Sequence, residues 1–150
     1  MPMTLSQLRP HYLPLLLTVC VTLIALGGSE LTVLFRFDRE AILHGHVWRL
    51  ISGHLVHLGW SHLWLNIAGL ALIWVLVGRC FSTQQWGIIF AGSALGIGLG
   101  LLIFNPELGW YVGLSGVLHG ILIAGAVAEI RCGRRSSYAL LVLVAAKLIW

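Results

Sequence analysis

Residues 112–128 read VGLSGVLHGILIAGAVA, an apolar run that opens with Ser115 between small residues and carries His119 one helical turn later. Whether this run lies in water or lipid decides the fold, and composition answers first. The chain is 59% hydrophobic and 9% charged, against roughly 25% charged in an average soluble domain, and its mean hydropathy is +0.95. It reads as an integral membrane protein. Crossing a bilayer takes about 20 apolar residues, and further runs stand at Tyr12–Leu26, Leu55–Val77, Trp86–Phe104 and Tyr138–Trp150, the last being short. The expected fold is an all-α polytopic bundle with five spans. A chain of 150 residues leaves no room for a separate soluble domain.

The first run follows Arg9, yet LGGSELTVL offers no small-x-small cleavage site after it. It reads as a retained helix, extended at its start by Leu5 and Leu8, rather than a secretory signal. Cys20, Cys80 and Cys132 are widely spaced and lack a CxxC pairing, so they give neither a disulfide framework nor a zinc signature. Packing is their expected role. With a cytoplasmic N-terminus, Arg9, Arg79, Arg131, Arg134 and Arg135 fall inside, and Arg36, Arg39 and Arg49 fall outside beside Glu30, Asp38 and Glu40. That obeys the positive-inside bias. The net charge of +4 is then a topology signal and calls for no nucleic-acid partner. Lys147 is the exception, since a lysine at mid-membrane costs about 2.5–3.5 kcal/mol on insertion scales; near a helix end it can snorkel. The interval from Gly27 to Gly53 mixes charges with Leu34, Phe35, Phe37, Ile42, Val47, Trp48 and Leu50. It is expected on or partly in the outer leaflet.

Glycines mark the packing. Gly92, Gly96 and Gly100 recur every four residues in the third span, as do Gly116 and Gly120 in the fourth. This small-xxx-small pattern lets helix backbones approach, so both spans are expected in the core.

Polar groups at membrane depth are functional candidates by default. HLGWSHLWLN places His57, His62 and Asn66 at the outer end of the second span, with His62 and Asn66 four apart and hence on one face. His44, His46 and His54 read instead as interfacial or bonded to backbone carbonyls. In the assumed orientation Ser115 lies in the same outer layer as His62 and Asn66. A nucleophile facing hydrogen-bond donors has the parts of an acyl-transfer site. A general base is missing from the set.

Trp48-Arg49, then H-x4-H-x3-N at His57, His62 and Asn66, then GLSG at Gly113–Gly116 together resemble the signature of the rhomboid intramembrane serine proteases. The Leu-His-Gly that follows is similar to the rhombosortase branch, which processes proteins bearing a C-terminal Gly-Gly sorting tail. The resemblance implies a six-helix core in which Ser115 attacks the scissile carbonyl, with His62, Asn66 and the Ser115 backbone N–H stabilising the oxyanion. It makes Gly113, Gly116, His57 and His119 supporting residues: His57 hydrogen-bonds within the first loop, and His119 stacks or hydrogen-bonds in the site. It implies no cofactor or metal. The partners it implies are a transmembrane protein substrate and the lipid bilayer, in a bacterial inner membrane.

One departure stands out. The family's base is a histidine on the sixth span, and no histidine follows His119. The expectation is a rhomboid-like domain over 1–150, truncated before the sixth helix and inactive by itself, with the base beyond residue 150. His119, one turn from Ser115, is the weaker candidate. Two other readings stay open: an inactive rhomboid-like protein that binds transmembrane clients, and a His-rich metal- or haem-binding subunit.

Overall fold

A computed structural model describes residues 12–149, so Leu5, Leu8, Arg9 and Trp150 lie outside the described residues. The expected first span is helix α1 (Tyr12–Leu26). Gly28, at φ +65°, then turns the chain by 116° into α2 (Gly28–Phe35). That positive φ suits glycine, which has no Cβ to clash. The interval up to Gly53 is more ordered than its mixed composition suggests. It holds strand β1 (Phe37–Asp38), α3 (Arg39–Leu43) and α4 (Arg49–Ser52), with Phe37, Ile42 and Leu50 buried together.

Four longer helices follow the order of the remaining runs: α5 (Gly59–Val77), α6 (Thr83–Phe104), α7 (Ser115–Arg131) and α8 (Tyr138–Ile149). Among the described residues, α5 and α6 alone are each long and apolar enough to cross a membrane, and the bent α1–α2 pair makes a third if counted as one span. α7 has 17 residues and α8 has 12, both short of a full span. Strand β2 (Trp110–Tyr111) precedes α7 and pairs antiparallel with β1, Phe37 opposite Tyr111. The chain is an all-α polytopic membrane protein, its strands confined to this one two-residue ladder among the described residues.

Local chemistry sets the helix limits. Ser82 and Gln85 form a reciprocal capping box that starts α6. At its other end the Arg39 guanidinium donates to the carbonyls of Leu101, Leu102, Asn105 and Leu108. One cation thereby gathers the carbonyls at the end of the helix, Leu102 O among those that a helix C-terminus leaves unpaired. The core lies where α5, α6 and α7 meet, around Leu70, Trp74, Trp86, Leu114, Val117 and Ile121.

The glycine expectation divides. Gly116 and Gly120 do face a neighbour: a Cβ on Gly120 would lie 2.5 Å from Ser93 Oγ, and one on Gly116 would lie 3.1 Å from Ile97 Cδ1. Gly92, Gly96 and Gly100 do not, for a Cβ on any of them would meet nothing within 4 Å. The inward face of α6 is carried by Ala94, wholly buried, and by Gly98, where a methyl would strike the Leu50 backbone. The four-residue period is shared by two faces of the helix, and the packed one is the other.

Candidate active site

α7 begins at Ser115, so the nucleophile candidate sits on the first helical residue and is exposed. A first-turn backbone N–H has no partner within its own helix. The Ser115 N–H is therefore available beside its own hydroxyl.

The preceding loop is fixed from several sides. Gly113 adopts φ +125°, and its N–H donates to Gly53 O at 3.0 Å. Its carbonyl accepts from the Tyr111 hydroxyl at 3.2 Å and faces His54 Nδ1 at 3.4 Å. A Cβ on Gly113 would lie 2.9 Å from His62 Cε1. Both the backbone angle and the contact demand glycine here.

His62 and Asn66 occupy consecutive turns of α5. Leu58 N–H donates to His62 Nδ1 at 3.3 Å, which places the ring proton of the neutral imidazole on Nε2. The Nε2 edge is the one turned toward Gly113, 3.1 Å from where a Cβ there would stand. Asn66 is buried, and its Nδ2 donates to His62 O at 2.9 Å. That leaves its second amide hydrogen to spare.

His62, Asn66, Ser115 and His119 line one cavity of about 430 Å³ between α5 and α7, and Lys147 of α8 lines it too. The residues singled out for an acyl-transfer site thus share a single space, although 53 positions separate His62 from Ser115. Gly116, instead, packs toward Ile97 of α6.

One supporting residue, His57, differs from expectation, and the other, His119, hydrogen-bonds in the site. His57 packs edge-on against His62, ring centroids 5.1 Å apart, and among the described residues neither of its buried ring nitrogens has a hydrogen-bond partner. Its expected hydrogen bond is replaced by ring packing. Burial lowers its pKa from 6.5 to about 4, the His62 ring adding to the shift and the Leu55 backbone opposing it. His119 Nδ1 lies 2.7 Å from the Ser115 carbonyl oxygen. Its hydrogen bond is thus to the helix backbone, with the proton on Nδ1 and Nε2 left as acceptor.

Residues outside the motif also matter. His54 is almost wholly buried, with Nε2 3.0 Å from Ala94 O and Nδ1 facing Gly113 O. It bonds backbone carbonyls as expected, but far from any surface, where it ties α6 to the Ser115 loop. Arg49 Nη1 donates to the Val33 and Arg36 carbonyls, holding α4 against the end of α2. Among the described residues no three metal-ligating side chains converge.

The match to the rhomboid domain family runs over residues 44–150, from the first loop through α8. The chain belongs to the rhomboid family. It is similar to RHOMBOID-like protein 1 of Arabidopsis thaliana, 33% identical over 100 residues, which covers 65% of this chain and 25% of that protein. It is also similar to Rhomboid protease GluP of Bacillus subtilis, 25% identical over 117 residues, or 78% of this chain and 21% of that one. YdcA of Bacillus subtilis is 29% identical over 80 residues, covering 53% of this chain and 40% of the relative. This rhomboid thus spans two fifths or less of the length of these relatives.

Proposed function

We propose that this rhomboid is the serine-bearing part of an intramembrane endopeptidase that cleaves transmembrane protein substrates. Ser115 Oγ attacks the scissile carbonyl carbon, and the oxyanion is taken up by the Ser115 N–H, His62 Nε2–H and the spare Asn66 amide hydrogen. The observation that carries this reading is the Leu58 hydrogen bond, which leaves His62 with a donor at the edge facing the Ser115 loop. Donors fixed before the reaction are the largest single contribution in many acyl-transfer sites.

The serine proton needs an acceptor that returns it to the leaving amine. His119 keeps an acceptor at Nε2, but its hydrogen bond goes to the Ser115 carbonyl and not to the hydroxyl. The proposed base is a histidine of a sixth helix beyond residue 150. The Leu-His-Gly after the serine motif points to substrates with a C-terminal Gly-Gly sorting tail. The proposed setting is a bacterial inner membrane with the N-terminus cytoplasmic, a reading supported by Arg79 and Arg134 lining one cavity at one end of the bundle.

A second reading is favoured by one observation: among the described residues, no side chain hydrogen-bonds Ser115 Oγ. An inactive relative that holds transmembrane clients without cutting them fits that geometry. Co-expression of a chain that carries the proposed sixth helix with tagged transmembrane reporters, with and without a Gly-Gly tail, separates the readings, together with labelling by a fluorophosphonate probe. Cleavage and labelling that both vanish in Ser115→Ala support the protease. Client capture without either supports the second reading and rejects the first.

A further inference from the structure

The opposite end of the bundle holds a larger space. A cavity of about 700 Å³ runs between α1 and α5, lined by Leu15, Thr18, Ile67 and Ala71, and ends at Arg79 and Arg134. Its volume falls in the range of sites that hold small organic ligands. The wall is hydrocarbon over most of its length, and the end is cationic.

Four arginines gather at that end, Arg79, Arg131, Arg134 and Arg135, against the single carboxylate of Glu129. The carboxylate is already engaged. Its Oε1 accepts from Arg134 Nη1 at 2.8 Å and its Oε2 from the Ser137 hydroxyl. Arg79 is exposed at the mouth of the groove, and among the described residues it has neither an ion pair nor a hydrogen bond. A free guanidinium presents paired N–H donors that match phosphate oxygens. Basic pockets between membrane helices attract anionic headgroups for this reason, each cation being worth about 1 kcal/mol near the surface.

We infer that this groove binds one anionic phospholipid, with its phosphate on Arg79 and an acyl chain along α1 and α5 between Leu15 and Ala71. Charge complementarity decides the occupant. A zwitterionic lipid fills the groove and offers the same phosphate but brings a choline cation into an end already rich in arginine, and a free anion matches that end but leaves the apolar wall bare. The site is independent of the Ser115 cavity, which lies between α5 and α7.

Native mass spectrometry of the full chain from detergent, titrated with phosphatidylglycerol or phosphatidylcholine of identical acyl chains, tests the headgroup. Preferential retention of phosphatidylglycerol is expected, weakened roughly five-fold by Arg79→Gln and largely kept in Arg79→Lys. Phosphatidylcholine retention should fall by less. Phosphatidylglycerol with a photoreactive acyl chain tests the groove on the unaltered chain, so the proposal stays testable if Arg79→Gln fails to fold. Adducts are expected on the peptide holding Ile67 and Ala71. Equal retention of the two lipids, indifference to Arg79→Gln, adducts elsewhere, or full competition by millimolar inorganic phosphate would each overturn it.

Discussion

Gly113 is the residue on which the proposed chemistry is most narrowly balanced. Its φ of +125° and its closeness to His62 Cε1 act together, so Gly113→Ala should push the ring that carries the oxyanion donor. Reactivity of Ser115 toward a fluorophosphonate is expected to fall on the order of 10²-fold, the scale of an ångström-sized misplacement. Thermal unfolding in detergent should fall as well, because alanine is strained at this backbone angle. Removing a donor outright, through His62→Ala or Asn66→Ala, should lower cleavage by about 10² to 10³, read as a rate on the same transmembrane reporters. His57 supplies a pH dependence. Its folded pKa of about 4 lies below the ordinary 6.5, so below pH 6.5 the unfolded chain takes up a proton that the folded chain refuses. Stability from this group is whole above pH 6.5 and is lost as pH falls toward 4. Unfolding temperatures measured from pH 7 to 4 should show that slope, and His57→Phe should flatten it. Asp38 titrates lower still: burial pushes its carboxyl up, but the Ala41 N–H and Arg36 outweigh this and the net shift is downward from 3.8. Its contribution holds above 3.8 and goes only as pH falls through that lower folded value.

Among the elements, α6 offers the sharpest contrast. Gly120→Leu drives a side chain of α7 into Ser93, and overpacking of this kind costs about 1–3 kcal/mol. Gly96→Leu meets open space and should stay within about 0.5 kcal/mol of the parent. Parallel thermal melts in detergent compare them. Arg39→Met leaves Leu102 O without its donor and removes the charged partner of Leu101 O and Asn105 O, which keep backbone N–H donors; it should destabilise by at least about 2 kcal/mol on the same assay, since hydrogen bonds to charged groups are the stronger ones. The α6 result also shows what the sequence concealed. His62, Asn66 and Ser115 were legible because polar side chains stand out against hydrocarbon. The inward face of α6 was not, because lipid and protein interior are equally apolar and hydropathy gives no contrast between them. Small residues recur on both sides of that helix, and periodicity alone chose the outer one. His54 was passed over for a related reason: its neighbours in sequence look like a surface loop, and its burial is created by α6 and Gly113, 40 and 59 residues away.

For the molecule as a whole, the number and order of helical runs followed from composition, and the family from three short motifs. The chain turn at Gly28 and the folding of the polar interval into α2, α3 and α4 did not, since they depend on contacts to distant carbonyls such as those Arg49 and Arg39 reach. That interval is what fastens the Ser115 loop, through Phe37 paired with Tyr111 and Gly53 O bonded to Gly113 N–H. These links run across the bundle instead of along it. Helices adapt to a thinner or thicker bilayer by tilting, and a site assembled only from helix ends would shear as they tilt. Here the cross-ties make the depth of Ser115 a property of the loop, so reconstitution in lipids of graded acyl length should change how the protein sits in the bilayer while the spacing of Ser115 from His62 stays constant.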